Sequence, residues 1–256
     1  MSGVDEPLRA DDVGLVVHVW VGELPRPSAG DDSWSVLDVN ETARALRFAN
    51  ADARDRFVAA HAGFRRVLGR WLRVDPAEVV FARAVCVHCG GPHGKPTLAP
   101  LYGHRTEVSL SHSGAAVAAA MSTVPVGIDV ECHRPLAHGA IAARWFTEAE
   151  QQFVGDDAAS SERFFRIWTR KEAVLKATGE GLPGGLATVD LPGEGGPVRY
   201  VERNGVRWTV VDLPAPAGHA AAAAYLGEAE LVLGLPGDAS VLPALLRQQS
   251  GGRGGT

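Results

Sequence analysis

Apolar and polar positions along the chain fall into segments of two different periods. Leu15 to Val21 is β-branched and aromatic, which predicts a first strand. Pro25, Pro27, Gly30 and Asp31 mark a loop after it. From Val39 to about Arg73 the pattern is helical. Phe57, Phe64, Val67, Leu68, Trp71 and Leu72 recur at threes, fours and sevens, as on one face of an amphipathic helix. Arg44, Arg47, Arg54, Arg56, Arg65, Arg66 and Arg70 occupy the rest, a face read as solvated, with an anionic ligand as the alternative. Val79 to Val87 predicts a strand. Val108–Leu110 and Ala115–Met121 predict two more, joined by a turn at Ser111-His112-Ser113-Gly114. Val126 to Glu131 is another strand. Ile141–Phe153 and Glu162–Thr178 read as helices, the second stopped by Gly179 and Gly181. Val198 to Leu213 reads as a hairpin turned at Asn204-Gly205, and Ala220–Tyr225 as a last core strand. The segments from Met1 to Asp12 and from Gln248 to Thr256 read as a loose arm and a Gly-rich tail.

Arg56–Leu72 and Arg163–Leu182 rhyme: each opens with Arg-Phe and carries a closing Gly. Two related halves meeting near Thr123–Pro125 would produce this, and so would chance. The expected fold class is α+β, with 13–124 and 125–245 as the two halves.

Composition narrows the function classes. The 256 residues are 46% apolar and 21% charged, which excludes disorder over most of the chain. Three cysteines exclude a disulfide scaffold. A formal net charge of −5 argues against bulk binding to nucleic acid or to an anionic membrane. The aliphatic run Gly14–Gly22 is too short to span a bilayer and contains His18, and the acidic residues before it do not suit a signal peptide. The expectation is a cytoplasmic protein with reduced thiols.

Five local features can carry chemistry. In Gly127-Ile128-Asp129-Val130-Glu131, strand alternation puts Asp129 and Glu131 on one face. Two carboxylates so placed repel unless a cation joins them, and Mg²⁺ suits oxygen ligands; a solvated strand end is the plain alternative. In Trp168-Thr169-Arg170-Lys171-Glu172-Ala173-Val174-Leu175-Lys176, helical spacing aligns Phe165, Trp168, Glu172, Leu175 and Lys176. The apolar members want burial and carry Glu172 and Lys176 toward the core; a surface ion pair is the alternative. Ser109-Leu110-Ser111-His112-Ser113-Gly114 offers hydroxyls and N–H groups to an anion, or is an ordinary hairpin. Gly94-Lys95-Pro96 resembles the end of a phosphate loop without being a Walker motif. Cys86-x-x-Cys89 with His88 and His93 supplies only two cysteines of a zinc set and reads as reduced thiols in a strand and turn.

The order of these features is more specific than any one of them. GKP, S-x-SHSG, GIDVE and then F-F-x-x-W-x-x-KEA-x-x-K-x-x-G-x-GL resembles the 4'-phosphopantetheinyl transferases of the Sfp-like type, over about Arg44 to Leu182. The resemblance implies two similar halves forming a pseudo-dimer with the site in the cleft between them. It implies transfer of phosphopantetheine from coenzyme A to a serine of an apo acyl or peptidyl carrier protein, by a monomer using Mg²⁺ or Mn²⁺. By the same resemblance Asp129, Glu131 and Glu172 are the metal ligands, and Lys176 lies near the phosphates. The serine must lose its proton as it attacks, to Glu172 or to a water held by Glu131, and Glu172 is the preferred base. Lys95, Ser111 and His112 contact coenzyme A, and Arg44 and Arg56 meet its 3'-phosphate. The chain departs from the pattern before the first helix, where some relatives place lysines and this sequence has Glu41 and Arg44. Carrier contact is expected from Cys132 to Phe153, through Arg134, Arg144, Trp145 and Phe146. The competing readings are another Mg²⁺-dependent phosphohydrolase or nuclease, and a non-catalytic module binding coenzyme A or a carrier protein.

Overall fold

The computed structural model describes residues 16–24, 32–100, 106–181, 185–191 and 198–234. The predicted arm, the loop from Pro25 to Asp31 and the C-terminal tail lie outside the described residues. Ten strands and five α-helices follow in the order β1 (Val16–Glu23), α1 (Val39–Ala45), α2 (Ala51–Leu72), β2 (Phe81–Arg83), β3 (Pro96–Leu98), β4 (Glu107–Ser113), β5 (Ala116–Ser122) and β6 (Val126–Cys132). Then come α3 (His138–Trp145), α4 (Glu148–Val154), α5 (Ser160–Thr178), β7 (Val198–Arg203), β8 (Val206–Leu213), β9 (His219–Leu226) and β10 (Glu230–Gly234).

Two four-stranded sheets, ordered β10-β1-β5-β4 and β6-β9-β8-β7, face each other. Val17, Val19 and the alanines 116, 118 and 120 of the first sheet pack on Val126, Ile128, Val130 and Ala223 of the second. Small side chains on β5 and β9 keep this layer thin. The outer face of the first sheet takes α2 through Trp20, Phe64, Leu68 and Met121. The outer face of the second takes α5 through Val174, Ala177, Val210 and Ala224. The α+β class expected from the sequence is the one observed. The C-terminal strand β10 pairs in parallel with β1 and so returns to the first sheet.

Several boundaries differ from the sequence reading for local reasons. The helical stretch from Val39 breaks after Ala45, because Asn50 caps a new helix by accepting from the Ala53 N–H. It closes on Arg73 in the left-handed region, not on glycine. The stretch from Ile141 to Phe153 breaks at Thr147, which forms a capping box with Glu150. The predicted strand Val79–Val87 shrinks to three residues, because the chain leaves the ladder at Ala84 to build a closed loop. Ser111 to Ser113 are strand, and only Gly114 and Ala115 turn.

The arginine face of α2 is not all solvated. Arg65 is fully buried; it donates to Asp38 and Glu41 of the α1 capping box, at 2.6 and 2.5 Å, and to the Val79 carbonyl. The helix α5 is fixed by two more buried cations in succession. Arg170 makes a two-pronged bond to Asp212 at 2.6 Å, and Lys171 pairs with the equally buried Glu150 at 2.6 Å. Removing one member of such a pair leaves a buried charge uncompensated.

Gly127 sets how close α5 comes to β6. A Cβ there would lie 2.1 Å from the Ala173 carbonyl oxygen and 2.4 Å from the Ala177 nitrogen, both backbone atoms. Gly127→Ala is therefore expected to lower unfolding free energy by about 3 kcal/mol. Urea denaturation checks the loss, and a variant as stable as the parent would show that α5 can shift freely.

Candidate active site

Gly127, Asp129 and Glu131 alternate on the face of β6 turned to α5, while Ile128 and Val130 enter the core. The close approach at Gly127 brings Glu172 and Lys176, one helical turn apart, over that face. Lys176 donates to Asp129 at 2.6 Å, to the Ser111 hydroxyl at 3.0 Å and to the Ile128 carbonyl at 3.1 Å. Four residues that the sequence placed in one site thus come together.

A ladder of serines on β4 braces the acids from the other half. The Ser111 hydroxyl donates to Asp129 at 2.8 Å, and that of Ser113 to Glu131 at 2.7 Å. Ser109 accepts from the Ile128 N–H and Ser113 from the Cys132 N–H. Period-two spacing puts all three hydroxyls on one side of β4. Ser113, and Arg134, which reaches Glu131 at 2.7 Å, are site residues that the sequence reading missed as such. Alternating serines at 109, 111 and 113 were the available signal for the ladder.

The electrostatics are unbalanced. Asp129 is buried, and burial raises its pKa against the pull of Lys176. Its Oδ2 is buried without a hydrogen-bond partner. Glu172 is pushed up to about 7 from an ordinary 4.5, first by burial and then by Asp129 and Glu131, with Lys176 opposing. No hydrogen bond holds its carboxylate among the described residues. Three carboxylates share one lysine, while Arg134 helps at Glu131 alone. The orphaned oxygen and the missing positive charge fit a divalent cation with oxygen ligands.

A cavity of about 750 Å³ adjoins this cluster, walled by α1, α2, β4, the loop between β2 and β3, and the end of α5. Arg44, Ser111, His112 and Lys176 line it. Arg44 lies 5.1 Å from the centre of the Phe57 ring. His112 is pushed down to about 4, by burial and then by His61, Arg44 and Lys176, so it is neutral at pH 7. Arg83 and His61 also line the cavity, His61 bonded to Glu41 at 2.7 Å. Neither stood out in the sequence, because each belongs to a local pattern of ordinary composition.

Two predicted residues are placed differently. Lys95 reaches the cavity wall, but its ammonium donates to Glu107 at 3.0 Å and to the Val126 carbonyl at 2.7 Å. Arg56 does not line the cavity; it is partly exposed and pairs with Asp52 at 2.6 Å on the same helix.

Two packed sheets, with an acidic cluster between β4, β6 and α5 and a basic-walled cavity beside it, are an arrangement for phosphate chemistry. The sequence profile of the 4'-phosphopantetheinyl transferase superfamily matches residues 125–224. The chain is 36% identical over 172 residues to the 4'-phosphopantetheinyl transferase HetI of Nostoc sp. (strain PCC 7120), covering 65% of this chain and 70% of that protein. It is 26% identical over 164 residues to Sfp of Bacillus subtilis (strain 168), covering 62% of this chain and 69% of that one. With ffp of Bacillus subtilis it shares 29% over 153 residues, 57% of this chain and 67% of the relative. The chain belongs to this superfamily, in its Sfp type. It transfers 4'-phosphopantetheine from coenzyme A to carrier proteins. The family uses Mg²⁺. No helix among the described residues is long and apolar enough to cross a membrane.

The raised Glu172 pKa has a stability consequence. Its stabilising contribution is complete below about pH 4.5 and is lost as pH rises through 7. Glu172→Gln in metal-free protein should therefore gain on the order of 1–2 kcal/mol over the parent near pH 8 and little near pH 5. Thermal melts in chelator at the two pH values test this; equal gains at both would sink it.

Proposed function

We propose that Asp129, Glu131 and Glu172 hold the Mg²⁺ (or Mn²⁺) of this transferase, and that the cavity beside them takes coenzyme A. The observation that carries this is the orphaned Oδ2 of Asp129, buried beside two further carboxylates with one shared lysine. The ion would supply charge neutralisation on the pyrophosphate as the transferring group moves. Lys176 adds a positive charge at the same place, beside Asp129. Glu172, beside the reacting groups, accepts the proton of the carrier serine. The serine oxygen then bonds to the β-phosphorus, and the bond to the bridging oxygen breaks with release of adenosine 3',5'-bisphosphate. Arg44 meets the 3'-phosphate; its place on the wall over Phe57 supports it above Arg56. Ser111 and neutral His112 offer hydrogen bonds to coenzyme A. Lys95 supports that wall through its bond to the Val126 carbonyl and reaches phosphate only by leaving Glu107.

The carrier partner is an acyl or peptidyl carrier protein, met in the cytoplasm by a monomer, since one chain carries every residue invoked. Arg144 is exposed, stacked on Trp145 at 4.8 Å, and suits an acidic carrier helix. Phe146 is 5% exposed and belongs to the core instead. Intact mass of an apo carrier incubated with the protein, coenzyme A and Mg²⁺ reads the reaction. One phosphopantetheine should be added, and the addition should be abolished by EDTA and by Asp129→Ala. Arg44→Ala should raise the KM for coenzyme A about tenfold, the worth of one charge-assisted contact, and Arg56→Ala should leave it unchanged. The reverse ranking would move the 3'-phosphate to Arg56.

A further inference from the structure

The loop between β2 and β3 carries a second group of ligand-type side chains that the transfer reaction does not use. Cys86 Sγ, Cys89 Sγ and a ring nitrogen of His93 all lie within 4.8 Å of one another. His93 Nε2 is 2.9 Å from Cys89 Sγ. Tetrahedral zinc, with bonds of about 2.3 Å to sulfur and 2.0 Å to nitrogen, separates its ligand atoms by about 3.5–3.8 Å. The 2.9 Å contact is shorter than that, and the group as a whole lies within a span that admits it.

The loop is folded around the sulfurs. The Gly91 N–H donates to Cys89 Sγ, and the N–H groups of His88 and Cys89 are turned on Cys86 Sγ. Backbone bonds Cys86 N–H to Gly91 O and Gly90 N–H to Cys86 O close the turn at 2.8 and 2.9 Å. Gly90 sits at φ +73°, and a Cβ on Gly91 would come within 3.0 Å of the His93 ring. These N–H groups are the kind of donors that metal-bound sulfur accepts from in a tight turn. Gly94, whose N–H bonds the Ala84 carbonyl, closes the loop at its base. His88 points elsewhere: its Nε2 is 2.8 Å from the Glu180 carbonyl, just beyond α5.

We propose that Cys86, Cys89 and His93 bind one zinc ion, with water in the fourth position, and that the ion fixes this loop as a wall of the cavity. Two thiolates and an imidazole select a borderline-soft ion such as zinc over Mg²⁺, so the two metals of the protein do not compete for one site. Cys86 and His93 also line the cavity, so the ion would stiffen the segment leading into Gly94 and Lys95. It would act on structure and not on the transferred group.

The test uses the full chain, purified under reducing conditions. Elemental analysis should find one zinc per chain. Stripping with chelator and reloading with cobalt(II) should produce a thiolate-to-cobalt charge-transfer band in the near ultraviolet. Cys86→Ser with Cys89→Ser should bring zinc to background and abolish the band, with circular dichroism showing that the variant is folded. His93→Gln should weaken zinc retention against a competing chelator. A reduced parent that holds no more zinc or cobalt than the double variant overturns the proposal. So does a cobalt spectrum without the thiolate band. Because the parent itself is stripped and reloaded, the result does not depend on any variant folding.

Discussion

A buried carboxylate is tolerated only when a positive charge or several donors stand beside it. Asp129 has Lys176 and Ser111 on one oxygen and nothing on the other. Among the described residues Glu172 accepts no hydrogen bond, and it has two acidic neighbours. Left to itself this cluster would splay apart. It does not, because the residues just before Glu172 are anchored on both sides. Arg170 is locked to Asp212, and Lys171 to Glu150 and the Val189 carbonyl. The motif Arg170-Lys171-Glu172 thus alternates support with strain, two cations holding a helix in place so that the acid after them stays where it is unfavourable. Stability comes from residues that never touch a substrate, and the site draws on it.

The same constraint explains why the site needs both sheets. The acids lie on β6 and α5, yet the hydroxyls that orient Asp129 and Glu131 come from β4. Ser111 touches both Asp129 and Lys176 and is also part of the cavity wall. Separating the sheets would remove the donors from the carboxylates and open the cavity in one motion. The thin alanine layer between the sheets is what lets β4 approach β6 closely enough for side chains as short as serine to bridge them.

The alternation in Gly127–Glu131 and the helical stripe from Phe165 to Lys176 were legible because both are local periodicities, and both predicted which side chains share a face. The serine strand was misread because Ser, His and Gly are turn residues in isolation, and cross-sheet hydrogen bonds overrode that preference. Arg65 looked like its solvated neighbours, since burial of an arginine depends on Asp38 and Glu41 arriving from another helix. The parallel pairing of β10 with β1 joins segments more than two hundred residues apart and leaves no local mark. The break at Thr147 did leave one, a Thr-x-x-Glu box, hidden inside an otherwise continuous apolar pattern. Lys95 shows the limit of motif reading: GKP gave the residue its address at the cavity, but the partner of its ammonium is set by Glu107, twelve residues on.

The carboxylates around Lys176 and the side chains of the thiol loop differ in hardness, and the cations proposed for them differ accordingly. They also share a mechanical connection. The thiol loop is tied through His88 to Glu180, which immediately follows the glycine closing α5. Glu180 is itself clamped by Arg203 and Asn204 at the β7–β8 turn. The helix that carries Glu172 and Lys176 is therefore held near its start by Arg163 on the Val154 carbonyl, in its middle by Arg170 and Lys171, and past its end by the loop between β2 and β3. A cavity wall and the carboxylate cluster hang on one rigid rod. Stiffening the loop would fix the cavity wall relative to the carboxylate cluster, which is how the proposed zinc, remote from that cluster, acts on alignment.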